Sequence, residues 1–133
     1  MNKTEPIISV IDDDESVRRA LRRLLRSVGY KVKVYTSARD FLDCDTASGN
    51  CVMILDIQMP EMDGFELLKV LSESGIKPPV IFITAHENPE VKARAMEGGA
   101  VAFLQKPFDD LSLLEAIDKG VSGTGPMPGT LLN

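Results

Sequence analysis

Histidine occurs once in the 133 residues, at His86, and cysteine twice, at Cys44 and Cys51. The cysteines have no C-x-x-C spacing and no histidine close by, which argues against a zinc site. Packing or loop positions suit them better than a disulfide. Long apolar runs are also missing: no stretch approaches the ~20 residues of a membrane span. The opening MNKTEPIISV lacks the apolar core of roughly 7 to 15 residues and the small-residue cleavage site of a secretory signal, so a cytoplasmic location is expected. Basic charge is in deficit, with 15 Lys and Arg against 20 Asp and Glu and a net charge of −5. Such a chain is a poor candidate for direct nucleic-acid binding. Glycine-rich phosphate loops are absent, both G-x-G-x-x-G after the first apolar run and G-x-x-x-x-G-K-[ST]. An EF-hand loop beginning at Asp12 fails as well, because Val17 stands where glycine is needed and Arg23 where the bidentate glutamate belongs.

What remains is an ordinary globular composition, 44% apolar and 26% charged, in a chain of one-domain length. Short runs rich in Val, Ile and Phe at 7–11, 31–35, 52–56, 80–84 and 101–105 alternate with helical spacing near 15–28, 37–43, 64–74, 90–97 and 110–121. That alternation predicts an α/β fold with a parallel sheet. Gly29, Gly75 and Gly98 fall where helices should stop, and Pro78 and Pro79 precede the fourth strand. Asp14 is placed to cap the first helix, and Asp109 or Asp110 the last. The alternating Lys31-Val32-Lys33-Val34-Tyr35 reads as a half-exposed edge strand. Residues 122–133, broken by Gly123, Gly125, Pro126, Pro128 and Gly129, read as a flexible tail or the start of a linker after a domain at 1–121. On the first helix, Arg18, Arg19, Arg22, Arg23 and Arg26 lie opposite a stripe of Val17, Leu21, Leu24 and Val28. They form either a solvated face or a docking surface for an acidic protein.

The chemistry stands at the ends of the apolar runs. Ile7–Ile11 leads into Asp12 and Asp13, Val52–Leu55 into Asp56, Val80–Ile83 into Thr84, and Val101–Gln105 into Lys106. Ligands of open α/β sheets bind outside the carboxyl ends of the strands, so three acids, a hydroxyl and an ammonium are expected to converge. Asp12, Asp13 and Asp56 make an all-oxygen set suited to Mg²⁺, with a backbone carbonyl near Gln58 as a further ligand. Lys106 offers a fixed charge and Thr84 a hydroxyl to the oxygens of a phosphoryl group on Asp56. Each residue alone has a commoner explanation, as a cap, a surface lysine or a turn hydroxyl. Their conjunction at four strand ends is what points to a site.

The segments VIDDDESVRRAL, MILDIQMPEMDGFELL, VIFITAHE and GGAVAFLQKPF resemble the response-regulator receiver domain of two-component signalling, over residues 7 to about 120. That resemblance implies a doubly wound five-stranded sheet of order 2-1-3-4-5 flanked by five helices. It implies that Asp56 accepts a phosphoryl group from a sensor histidine kinase, with Asp12 and Asp13 at the Mg²⁺ site and Gln58 nearby. Thr84, Phe103 and Lys106 take switch roles, and Lys106-Pro107 is expected to be cis. The domain is then a phosphoacceptor that assists its own reaction rather than a turnover enzyme. It is expected to form a homodimer, when phosphorylated, through the fourth helix, fifth strand and fifth helix. ITAHENPEVKARAMEGGAVAFLQKPF is most similar to FixJ-type receivers, which precede a helix-turn-helix DNA-binding domain. This chain departs from that pattern by stopping after the tail. Asp12-x-Asp14-x-Ser16 after an apolar strand also resembles the first motif of haloacid-dehalogenase-type phosphatases, with Asp12 as nucleophile and Asp14 as acid/base. That alternative leaves Asp56 without a role and little room for a substrate cap.

Overall fold

The computed structural model describes residues 6–44, 51–86 and 88–122. Its elements run β1 (Ile7–Ile11), α1 (Glu15–Ser27), β2 (Lys31–Tyr35), α2 (Ala38–Cys44), β3 (Cys51–Asp56), α3 (Gly64–Glu73), β4 (Val80–Thr84), α4 (Pro89–Glu97), β5 (Ala102–Gln105) and α5 (Asp110–Ser122). All strand pairs are parallel, in the order β2-β1-β3-β4-β5. Parallel neighbours need long crossovers, and each crossover here carries a helix. The expected fold class and the edge position of β2 therefore hold. Apart from Ser122, which closes α5, the expected tail lies outside the described residues.

Both sheet faces are covered, so the three inner strands are apolar along nearly their whole length, with Ser9 of β1 the one polar residue inside a run, buried beside Cys51 Sγ at 3.3 Å. Their side chains still divide by parity into two cores. Ile8, Val10, Ile54, Ile81 and Ile83 pack with Leu21 and Leu25 of α1 and Leu113 and Ile117 of α5. Met53, Leu55 and Phe82 pack with Phe41 of α2, Leu67 and Leu71 of α3, and Ala95 of α4.

Most ends follow the expected punctuation. Asp14 caps α1 by accepting from the Ser16 amide at 2.8 Å. Asp109 rather than Asp110 serves α5, accepting from the Ser112 amide at 3.1 Å. The Lys106-Pro107 bond is cis, as expected. Gly98 is the C-cap of α4, as expected, with φ −78°, and Gly99 after it takes the left-handed turn at φ 94°. One detail differs. The α1 stripe is rotated: Leu21 and Leu25 are its buried members, whereas Val28 is 50% exposed at the C-cap. The Val17-Leu21-Leu24-Val28 stripe fits the helical period equally well, but the chain is already leaving the helix at Val28.

Candidate functional site

Strand register brings the polar residues together. Ile11 is opposite Leu55, Asp56 opposite Ile83 and Thr84 opposite Gln105. The residues that end β1, β3, β4 and β5 therefore share one edge of the sheet. One carboxylate oxygen each from Asp12, Asp13 and Asp56 lies within 4.8 Å of the others. Asp12 and Asp56 are buried at 0% and 4% exposure, while Asp13 faces solvent. Lys106 reaches back so that Nζ lies 2.8 Å from Asp12 Oδ2 and 3.8 Å from Asp56 Oδ2.

Backbone groups fix the two buried acids. Asp12 Oδ1 accepts from the Asp14 amide at 2.8 Å, and Asp56 Oδ1 accepts from the Gln58 amide at 3.3 Å. Asp12 Oδ2 has its ionic neighbour in Lys106 but no hydrogen bond of good direction. Thr84 is buried, and its Oγ1 accepts from the His86 amide at 3.2 Å, which leaves its hydroxyl proton free to donate. The Lys106 amide donates to the Thr84 carbonyl at 2.7 Å and so ties the ends of β4 and β5 together. Phe103 lies opposite Phe82 and packs, partly buried, against the core on the α2, α3 and α4 face. The side chain of Gln58 is exposed.

Crowding the acids perturbs them. The Asp56 carboxyl is pushed up to about 7 by burial and by the Asp12 carboxylate, with Asp13 adding to the rise and Lys106 and the Gln58 amide opposing it. Burial acts to lower the Lys106 ammonium, but contact with Asp12 and the charges of Asp56 and Asp14 hold it above its ordinary value. Three acids against one lysine leave net negative charge in a largely dry crevice, a set that a hard divalent cation neutralises. The donors fit such an ion: all are oxygens, two acids are held by amides, and Asp12 Oδ2 lacks a directed partner.

Two residues at this edge have roles that spacing did not reveal. Arg18, grouped above with the arginine face of the first helix, donates from Nη1 to the Asp12 carbonyl at 2.8 Å and braces the β1–α1 turn. Gly64 starts α3 directly beside the Asp56 backbone. A Cβ there would sit 3.0 Å from the Asp56 carbonyl and 3.2 Å from Ile57 Cα. Its place eight residues after Asp56 in D-x-x-M-P-x-M-x-G was the available signal. The rival phosphatase assignment fits poorly, since it gives no role to Asp56, which clusters with Asp12, and the Asp14 carboxylate is occupied as the α1 cap.

A family model for the response regulator receiver domain matches residues 8–118. The chain is 42% identical over 118 residues to response regulator protein TmoT of Ectopseudomonas mendocina, covering 88% of this chain and 53% of that protein. It is 39% identical over 116 residues to transcriptional regulatory protein FixJ of Rhizobium meliloti, covering 87% and 57%. Among solved structures, the crystal structure of FixJ-N superposes with a TM-score of 0.83 at 35% identity, covering 94% of this chain and all of that one. The chain spans about half the length of the curated relatives it matches.

Proposed function

The chain belongs to the family of response regulator receiver domains of two-component signalling, and from that premise we propose that Asp56 is its phosphoacceptor. The observation that carries this is the position of the Asp56 carboxylate, at the end of β3, clustered with Asp12 and Asp13 and 3.8 Å from the Lys106 ammonium. An Asp56 oxygen attacks the phosphorus of a phosphohistidine on a sensor kinase. The phosphorus–nitrogen bond breaks, and the histidine leaves with the bonding electrons. Lys106 supplies positive charge to a phosphoryl oxygen, and the Thr84 hydroxyl donates to another. Asp12, Asp13 and Asp56, with a carbonyl near Gln58, hold Mg²⁺, which when bound neutralises charge on the carboxylates and the phosphoryl oxygens.

The transfer is to the protein itself, without turnover of a small substrate. Once the single charge of the Asp56 carboxylate is replaced by a phosphoryl group carrying close to two negative charges and three acceptor oxygens, Thr84 and Lys106 are drawn inward, and the β4–β5 edge that they share adjusts. Phe103 follows that edge as the switch aromatic. The face formed by α4, β5 and α5 then pairs with a second copy of the domain. Similarity to the transcriptional regulatory protein FixJ, of which the matched segment makes up 57%, supports an output through a C-terminal DNA-binding domain. A cytoplasmic setting accompanies that reading.

The test is intact-mass measurement after incubation with Mg²⁺ and acetyl phosphate. One added phosphoryl group is expected, absent from Asp56→Asn and from a chelator control. Undiminished labelling of Asp56→Asn would move the acceptor elsewhere.

A further inference from the structure

A groove of about 460 Å³ runs between α3 and α4 over the start of β4, and none of the clustered acids lines it. That volume lies in the range of roughly 300 to 1,000 Å³ occupied by small-ligand sites. The α4 side is lined by Ala95, Gly98, Gly99 and Ala100, none with a side chain larger than a methyl group. The floor is apolar, with Val80 and Phe82 buried beneath it and the Phe65 ring packed 5.1 Å from that of Phe82. The rim has the opposite character. Lys69, Lys77 and Arg94 stand around it, all exposed, and no acidic residue contributes to the lining. The Arg94 guanidinium lies over the Phe65 ring, 4.0 Å from its centroid, which fixes its plane while its N–H groups remain able to donate. Among the described residues none of these three cations forms an ion pair. In a chain of net charge −5, three uncompensated cations around one apolar groove run against the overall balance.

We propose that this groove is a binding site for a small amphiphilic carboxylate, its apolar body on Val80, Phe82 and Phe65 and its carboxylate among Lys69, Lys77 and Arg94. A neutral apolar ligand would leave the rim unused, and a compact anion would leave the floor unused. The bound molecule would lie on β4 and α4, the strand that ends in Thr84 and the helix that follows it. The site is thus positioned to give the domain a chemical input separate from the phosphoryl group. The inference does not depend on Asp56 chemistry, because binding is read on the unphosphorylated full chain.

The experiment is a titration of isotopically labelled full chain followed by amide chemical shifts. Sodium octanoate is the probe, 1-octanol supplies the same body without charge, and sodium acetate supplies the charge without the body. Octanoate is expected to give saturable shifts at Phe65, Leu68, Lys77, Ala95 and Ala100, with a Kd on the order of 0.1 to 1 mM. Octanol and acetate should bind at least tenfold more weakly. Replacing all three cations (Lys69→Gln, Lys77→Gln, Arg94→Gln) should weaken octanoate about tenfold and leave octanol unchanged. Ala100→Leu, checked for folding by its melting curve, should remove the octanoate response by filling the groove. Unsaturable or scattered shifts, equal binding of octanol, an unaffected triple variant, or preference for an acidic amphipathic peptide over octanoate at these residues would each overturn the proposal.

Discussion

At the scale of single residues, the tension lies in Asp56. Its carboxyl is raised to about 7 in the folded protein from the ordinary 3.8, so between those values the folded state holds a proton that the unfolded chain releases. Stability of the metal-free protein must then fall as pH rises from about 4 to about 7, by a ceiling of about 4 kcal/mol. Lys106, held above its ordinary value, works in a different window: its contribution is present below the unfolded value of 10.5 and is lost as pH rises through the folded one. Urea unfolding at pH 5 and pH 8 in the presence of a chelator should show lower stability at pH 8. Asp56→Asn should flatten that difference, and Mg²⁺ should restore stability at pH 8. Equal stability at both pH values without metal would show that the carboxylates do not strain the fold. The acids, Thr84 and Lys106 were legible because each terminates an apolar run. Arg18 was not, since its neighbours on the helix face conceal a contact that only the β1–α1 turn creates.

At the scale of elements, the segment between β3 and α3 sets how accurately Asp56 is held. Asp63 and Glu66 form a reciprocal capping box at α3, with the Glu66 amide donating to Asp63 Oδ1 and the Asp63 amide to Glu66 Oε1, both at 2.8 Å. Just before it, Glu61 adopts φ 72°, a left-handed conformation unfavourable for a side chain. The box holds the loop against that strain. Asp63→Ala should lower stability by about 1 kcal/mol, read from denaturant midpoints, and no change would mean that the loop is held by other contacts. Strand and helix positions could be anticipated because period and punctuation agree along the chain. The α4 turn shows where they fall short: Gly98 and Gly99 are adjacent, and only backbone geometry tells which one takes the left-handed turn. The α1 stripe failed at Val28 for a related reason, since helical period does not say where the last turn ends.

At the scale of the whole molecule, one edge of the sheet holds the acids and the α4, β5 and α5 face is the proposed route outward. Lys106 belongs to both, touching Asp12 through its side chain and Thr84 through its amide. Lys106→Ala should therefore still accept some phosphoryl group from acetyl phosphate but fail to dimerise, as read by sedimentation of labelled protein. Phosphorylation-dependent dimerisation at the normal level in that variant would remove Lys106 as the link. The far edge of the sheet has a different consequence. On β2 the outward positions Lys31 and Lys33 are exposed while Tyr35 is buried. An outermost strand presents unpaired backbone groups that could template a neighbouring chain, and lysines spaced along it place like charges against any copy that tries to add. Growth of the sheet from molecule to molecule is thereby discouraged at β2, so the domain can be concentrated without forming intermolecular ribbons along that border.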